Sequence, residues 1–280
     1  MIRLAVRCRP ELAERVLADL LELAPGGVEE ERGPNWVEYA IYGPPGEVPA
    51  LPDLEAAAGD GLVEISSTEI PEDWADRWRD FHRPVVIGDG RLVVRPSWID
   101  HRDTPGRGAE DVARVDVVID PGQAFGTGAH ATTSMCLELL LELADHGDAT
   151  GPLTDLGTGS GVLAIAAAKL GWSPVSGYDS EQTAVEAAAA NSRANGVEIE
   201  FERLNLREQP PPRAATMVAN LTAPLLREVA ERLIDVPRTL VCSGLLASEA
   251  EQVEWAFEER GLQVANRRER GDWCALLLKP

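Results

Sequence analysis

The pattern of hydrophobic and polar positions divides the chain into two differently built parts. IRLAVRC (residues 2–8) reads as a strand, and PELAERVLADLLELA after it carries Leu12, Val16, Leu20 and Leu23 at helical spacing. A GG turn, VEEER and a GPN turn lead to WVEYAIY, Trp36 to Tyr42, whose alternation is that of a half-buried strand. A short helix over LPDLEAAA (51–58) and the strand LVEISSTEI complete a β-α-β-β-α-β order, the ferredoxin-like motif. PEDWADRWRDFHRP then spaces Trp74, Trp78 and Phe81 as one apolar helical face between Pro71 and Pro84. This predicts a packed linker helix, followed by strands in VVIGDGRLVVRPSW and VARVDVVIDPG.

From Pro152 the pattern changes to alternating strands and helices: LTDL, VLAIAAAKLG, PVSGYD, EQTAVEAAAANSRANG, IEFERLN, TMVANL and APLLREVAERLI. Alternation of this kind predicts an α/β doubly wound, mainly parallel sheet with helices on both faces. The last two strands, LQVANRRER and DWCALLLKP, are joined by a short GD turn and should pair antiparallel. The division expected from the pattern is residues 1–70 as a small α+β domain, 71–90 as a linker helix and connection, and 91–280 as an α/β domain.

Two glycine turns interrupt this pattern. DLGTGSG (155–161) lies where a strand ends and a helix begins, the place of a nucleotide loop in such sheets. Asp179 ends the next strand, 22 positions after Gly157, where a carboxylate accepts hydrogen bonds from ribose hydroxyls. The spacing is G-x-G-x-G rather than G-x-G-x-x-G, and no GK[ST] marks a phosphate loop. Asp155, two residues before Gly157, brings a negative charge to the turn, which disfavours a pyrophosphate and suits a cation. S-adenosylmethionine has no phosphate, carries a sulfonium and an ammonium, and still needs the ribose carboxylate. The loop residues Asp155, Gly157 and Gly159 therefore favour a methyl donor over NAD, with a purely structural turn as the bland alternative. The other turn, AFGTGAHATT (124–133), runs into an amphipathic helix through Thr132 and Thr133, which suit a helix start. Phe125, Gly126 and Thr127 are placed to fold over a bound adenosyl group, and His130 is a candidate base whose alternative is a structural histidine.

Charge narrows the partners. The formal net charge is −21, and the two lysines are Lys169 and Lys279. Such a surface opposes direct nucleic-acid binding, which rests on phosphate neutralisation. It suits a basic protein partner, or else reflects a solvent adaptation. Residues 1–70 hold 14 acidic and five basic side chains, a local charge of −9. The four cysteines are scattered with no CxxC pair, so neither a metal site nor a disulfide framework is expected. With no long apolar run and no secretion signal, the reading is a cytoplasmic protein that does not meet a membrane.

Taken together, AFGTGAHATT, TDLGTGSGVLAIAAAKLG, GYDSE and VANLTAPLL resemble the ribosomal protein L11 methyltransferase family, and DWADRWRDFHRPVVIGDGRLVVRPSW resembles its linker and entry strand. The resemblance covers nearly the whole chain and is weakest in residues 1–65. It implies a class I methyltransferase Rossmann-like seven-stranded sheet behind a ferredoxin-like substrate-recognition domain. It also implies S-adenosylmethionine as donor, and lysine ε-amines and an N-terminal α-amine of a basic ribosomal protein as acceptors. The family's donor contacts fall on Thr133, Gly157, Asp179 and Asn220. Asn220 ends the fourth parallel strand, where its amide oxygen would aim an amine lone pair; the plainer reading is a turn-former. Where many relatives carry a second acidic residue after the strand-two aspartate, this chain has Ser180, then Glu181. A protein-lysine methyltransferase with another client, and an RNA methyltransferase, are the alternatives.

Overall fold

The computed structural model describes residues 2–23, 28–43, 49, 62–69, 83–104, 114–120 and 128–280. Two compact units are present, the first running to His82 and the second beginning at Arg83. The helix expected over 51–58 and the amphipathic helix through Trp74, Trp78 and Phe81 lie outside the described residues.

In the first unit, β1 (Ile2–Cys8), β2 (Glu29–Arg32), β3 (Val37–Gly43) and β4 (Leu62–Glu69) form an antiparallel sheet in the order β2-β3-β1-β4. That is the order the β-α-β-β-α-β pattern predicts. Helix α1 (Ala13–Leu23) buries Val16, Leu17 and Leu20, while β1 buries Leu4, Val6 and Cys8. Arg3 and Arg7, four residues apart on one face of β1, meet at the buried Glu38 of β3, at 2.5 and 2.7 Å. Burial opposes the Glu38 charge, but the two guanidiniums outweigh it and hold the carboxyl below its usual range.

The second unit contains a small sheet, β5 (Val85–Ile87), β6 (Leu92–Arg95) and β7 (Val115–Val118), separate from the large one. Helix α2 (Ala131–Asp145) follows. Next come β8 (Leu153–Leu156), α3 (Val162–Leu170), β9 (Val175–Asp179), α4 (Gln182–Ala194), β10 (Glu200–Arg203) and β11 (Thr216–Asn220). Helix α5 (Ala223–Arg232), β12 (Thr239–Leu246), α6 (Ala250–Glu258) and the hairpin β13 (Gln263–Arg270) with β14 (Trp273–Lys279) complete the chain. The large sheet runs β10-β9-β8-β11-β12-β14-β13, parallel except for β14, which is antiparallel to both its neighbours. The hairpin expected at its edge is therefore present. All four residues of β8 are buried because both of its faces are covered, as in a buried parallel layer, and α3 is apolar at every position but Lys169. Arg268 and Arg270 of β13 reach Glu138 and Glu142 of α2, so the last hairpin clamps the helix that carries part of the site.

Candidate functional site

The order of the strands reverses between β8 and β11, and the crevice beyond the carboxyl ends of strands at such a point is where α/β sheets take ligands. Three strand ends deliver chemistry there: the turn Gly157–Gly161 after β8, Asp179 closing β9, and Asn220 closing β11.

The glycine turn is held down by its neighbours. The N–H groups of Gly157 and Thr158 donate to the Tyr178 carbonyl at 2.8 and 2.9 Å, and Gly159 donates to Asp179 Oδ2 at 2.9 Å. Asp179 Oδ1 accepts a 3.1 Å bond from the Glu181 N–H. These backbone bonds fix the direction of the carboxylate and leave lone pairs on both oxygens for hydroxyl donors. Gly157 has φ +71, and a Cβ there would overlap the Leu221 side chain.

Asp155 sits beneath the turn rather than in it, fully buried. Its Oδ2 accepts from the Thr158 hydroxyl at 2.7 Å and from the Ala164 N–H, in the first turn of α3, at 3.2 Å. Ser160 Oγ accepts from Val162, also in that first turn, at 3.4 Å. Two of the N–H groups that a helix start would offer to a phosphate are thus already taken, and one of them faces a carboxylate. The site is therefore poorly suited to a pyrophosphate and suited to a phosphate-free, cationic nucleoside. Asp155 Oδ1 has no hydrogen-bond partner. Burial pushes the Asp155 carboxyl up to about 7, against the lowering bonds from Thr158 and Ala164, and Asp179 adds to the rise.

Asn220 and Thr133 meet although they are 87 residues apart: Asn220 Nδ2 donates to Thr133 Oγ1 at 3.0 Å. Thr133 is buried in the first turn of α2 and Asn220 is half-buried, so the carboxamide is oriented by its nitrogen end and its oxygen is the acceptor left over. The expectation that Thr132 and Thr133 start this helix is corrected in detail. The cap is His130, whose Nδ1 pairs with Thr132 Oγ1 at 2.8 Å and accepts from the Thr132 N–H at 3.4 Å. An imidazole nitrogen can accept like a capping oxygen, and with His130 in that role Thr133 is free to hold Asn220. The ring also packs edge-on against Trp273 of β14, with centroids 4.8 Å apart. Phe125, Gly126 and Thr127 lie outside the described residues.

Two supports of the site escape a reading by motif. Gly244 lies at a bulge in β12, between Cys242 and Leu245, where Ser243 accepts the Leu221 N–H at 2.9 Å. Its φ is +86, and a Cβ there would overlap the Leu221 carbonyl oxygen and stand 2.8 Å from the Leu221 backbone carbon and nitrogen. The isolated glycine within the strand pattern CSGLL is the available sequence signal for such a close backbone approach. Gly244→Ala is expected to lower stability by about 2 kcal/mol or more from the left-handed backbone and the clash together, measured by urea unfolding. A change below about 0.5 kcal/mol would show that the turn after Asn220 yields freely. The other support is Trp273, whose side chain no motif flags.

Comparison with known proteins agrees with this geometry. Residues 53–280 match the family model described as ribosomal protein L11 methyltransferase (PrmA). The chain is 35% identical to the ribosomal protein L11 methyltransferase of Pelotomaculum thermopropionicum, over 98% of this chain and 97% of that protein. It is 36% identical to that of Symbiobacterium thermophilum, over 94% and 85% respectively. The crystal structure of ribosomal protein L11 methylase from Lactobacillus delbrueckii subsp. bulgaricus superposes with a TM-score of 0.59 at 26% identity, covering 71% of this chain and 98% of that one. With a family model matched over most of its length and a relative aligned nearly end to end, the chain belongs to the ribosomal protein L11 methyltransferase family.

Proposed function

We propose that this protein transfers methyl groups from S-adenosylmethionine to amino groups of ribosomal protein L11, the acceptors being lysine ε-amines and the N-terminal α-amine. The observation that carries this reading is the oriented Asn220 carboxamide at the strand-order reversal, beside a glycine turn whose helix start is already occupied by Asp155.

When bound, S-adenosylmethionine supplies a methyl group on a sulfonium, which an amine lone pair takes by in-line displacement to leave a neutral thioether. The chain's own task is to bind, orient and exclude water, so alignment dominates the rate. Asp179 accepts the ribose hydroxyls, and Gly157 and Gly159 give the close backbone approach that the nucleoside needs. Thr133 holds Asn220, and the Asn220 oxygen accepts an N–H of the incoming amine, directing its lone pair. That amine must be neutral; a lysine ammonium, with a reference pKa of about 10.4, loses its proton to solvent before it enters. His130 acts as a positioning residue through the start of α2, while Phe125, Gly126 and Thr127 belong to the cover.

We assign recognition of the basic client to residues 1–70 and the chemistry to residues 91–280, with 71–90 as the connection. Support comes from the acidity of the first unit, whose edge strand β2 reads EEER. The charge of −21 speaks against an RNA substrate and against direct nucleic-acid binding. Among the described residues no helix is long and apolar enough to cross a membrane. A cytoplasmic site of action fits a ribosomal client.

Incubation with labelled S-adenosylmethionine and unmethylated L11, followed by peptide mass spectrometry, tests the proposal. Methyl mass on lysine or the N-terminal amine is the expected result. Donor binding by calorimetry without any mass gain on L11 would overturn the client.

A further inference from the structure

One surface of the second unit is not used by the site. Helices α5 and α6 lie side by side, and between them runs a groove of about 660 Å³ lined by Pro224, Arg227, Glu231, Glu251 and Trp255, among others. On α5 the lining positions recur at three- and four-residue spacing, so one helical face is presented; on α6, Glu251 and Trp255 stand one turn apart. Trp255 is 64% exposed, the most exposed of the large hydrophobic side chains among the described residues and the only aromatic one. An indole held open to solvent on a stable helix has no part in the core, whose members on α6 are Ala250, Val253 and Phe257. Its charged neighbours are mainly acidic. Glu228 is paired with Arg232, and Arg227 bonds to Gln252, whereas Glu231 and Glu251 form no ion pair among the described residues. The groove therefore offers an aromatic face and a net negative charge, Glu231 and Glu251 outnumbering Arg227, a combination that takes the apolar stem and charged head of a lysine or arginine.

Its position adds to this. Helix α5 starts at Ala223, three residues after Asn220, so one end of the groove opens at the sheet edge where the candidate site lies. Ten residues of helix give a track on the order of 15 Å. About five residues of extended chain would fill it.

We propose that this groove is a docking track for a lysine- or arginine-bearing segment of the protein substrate, gripping the client away from the amine being methylated. The inference rests on the reading that the substrate is a basic protein. The occupant is the client itself, because the acidic excess selects cationic side chains and the groove starts at Pro224, four residues after Asn220, on the sheet edge that client must reach.

The test compares the wild-type protein with Trp255→Ala and with the double variant Glu231→Gln/Glu251→Gln, using L11 as substrate. All these side chains lie on the groove surface, so thermal midpoint and donor affinity serve as checks of folding. The expected result is a rise in KM for L11 of about tenfold in each variant, with kcat at saturating substrate within about twofold. Raising the salt concentration should weaken the wild-type KM and narrow its advantage over the double variant. Wild-type methylation of L11 with KM unchanged in both variants would overturn the groove while leaving the function intact. No wild-type methylation of L11 would overturn the functional reading on which the groove depends. Concentration-dependent self-association of the wild type that Trp255→Ala abolishes, seen by light scattering, would overturn the proposal in favour of a second copy as occupant.

Discussion

Between about pH 4 and pH 7 the wild-type protein is expected to lose stability that an Asp155→Asn variant keeps. The Asp155 carboxyl titrates near 3.8 in an unfolded chain and is pushed up to about 7 in the fold. Between those values the folded state holds a proton that the unfolded state has released, so stability falls as pH rises. The contribution is fully present below the lower value, declines through the window and is gone above the upper one. The accumulated loss is on the order of 4 kcal/mol. Asparagine imitates the protonated acid: its carbonyl oxygen can keep the bonds from Thr158 and Ala164, and its neutral amide replaces the unpartnered Oδ1. Urea midpoints for both proteins at a series of pH values should therefore coincide near pH 4 and separate by pH 8, with the variant the more stable. Donor binding gives a second readout. A cation bound beside the turn favours the ionised acid, so wild-type binding near pH 6 should release a proton, visible as a dependence of the calorimetric enthalpy on the buffer's ionisation enthalpy. The variant should release less. Parallel stability profiles would mean that Asp155 titrates at its ordinary value and that its burial is relieved by water.

Much of this arrangement was legible in the sequence, because it rests on local rules. The strand-loop-helix of DLGTGSG, the aspartate closing the next strand and the antiparallel final hairpin all follow from periodicity and turn chemistry. The order β2-β3-β1-β4 followed from the β-α-β-β-α-β succession in the same way. What the sequence hid depends on contacts between distant segments. The bond from Asn220 to Thr133 joins β11 to α2 and leaves no local signature. The resemblance put Thr133 among the donor contacts and gave no sign of its bond to Asn220, and the cap beside it is a histidine, a residue that capping preferences do not lead one to expect. Gly244 shows the same limit: its glycine was readable as a special position, yet the carbonyl it makes room for belongs to Leu221, in the turn after β11. Asp155 was expected to bring its charge to the turn, and only packing could show that this charge is buried under it.

Asn220→Ala is expected to cut kcat by about a hundredfold or more while the affinity for S-adenosylmethionine changes by less than about threefold. The asymmetry follows from geometry. The nitrogen end of the carboxamide is tied to Thr133, and in the proposed reaction it is the remaining oxygen that meets the amine rather than the ribose. Losing an acceptor that orients a nucleophile is felt in the displacement and hardly in donor binding. If the bond to Thr133 is what aims that oxygen, Thr133→Val should also lower kcat, by less, since the carboxamide remains but swings more freely. The double variant should then be no slower than Asn220→Ala alone, because the two residues act as one unit. A general loss of structure would instead lower the thermal midpoint and the donor affinity together and make the two effects add. Retention of kcat within about threefold in Asn220→Ala would remove the carboxamide from the chemistry and leave Asn220 as the turn-former that the end of a strand otherwise requires.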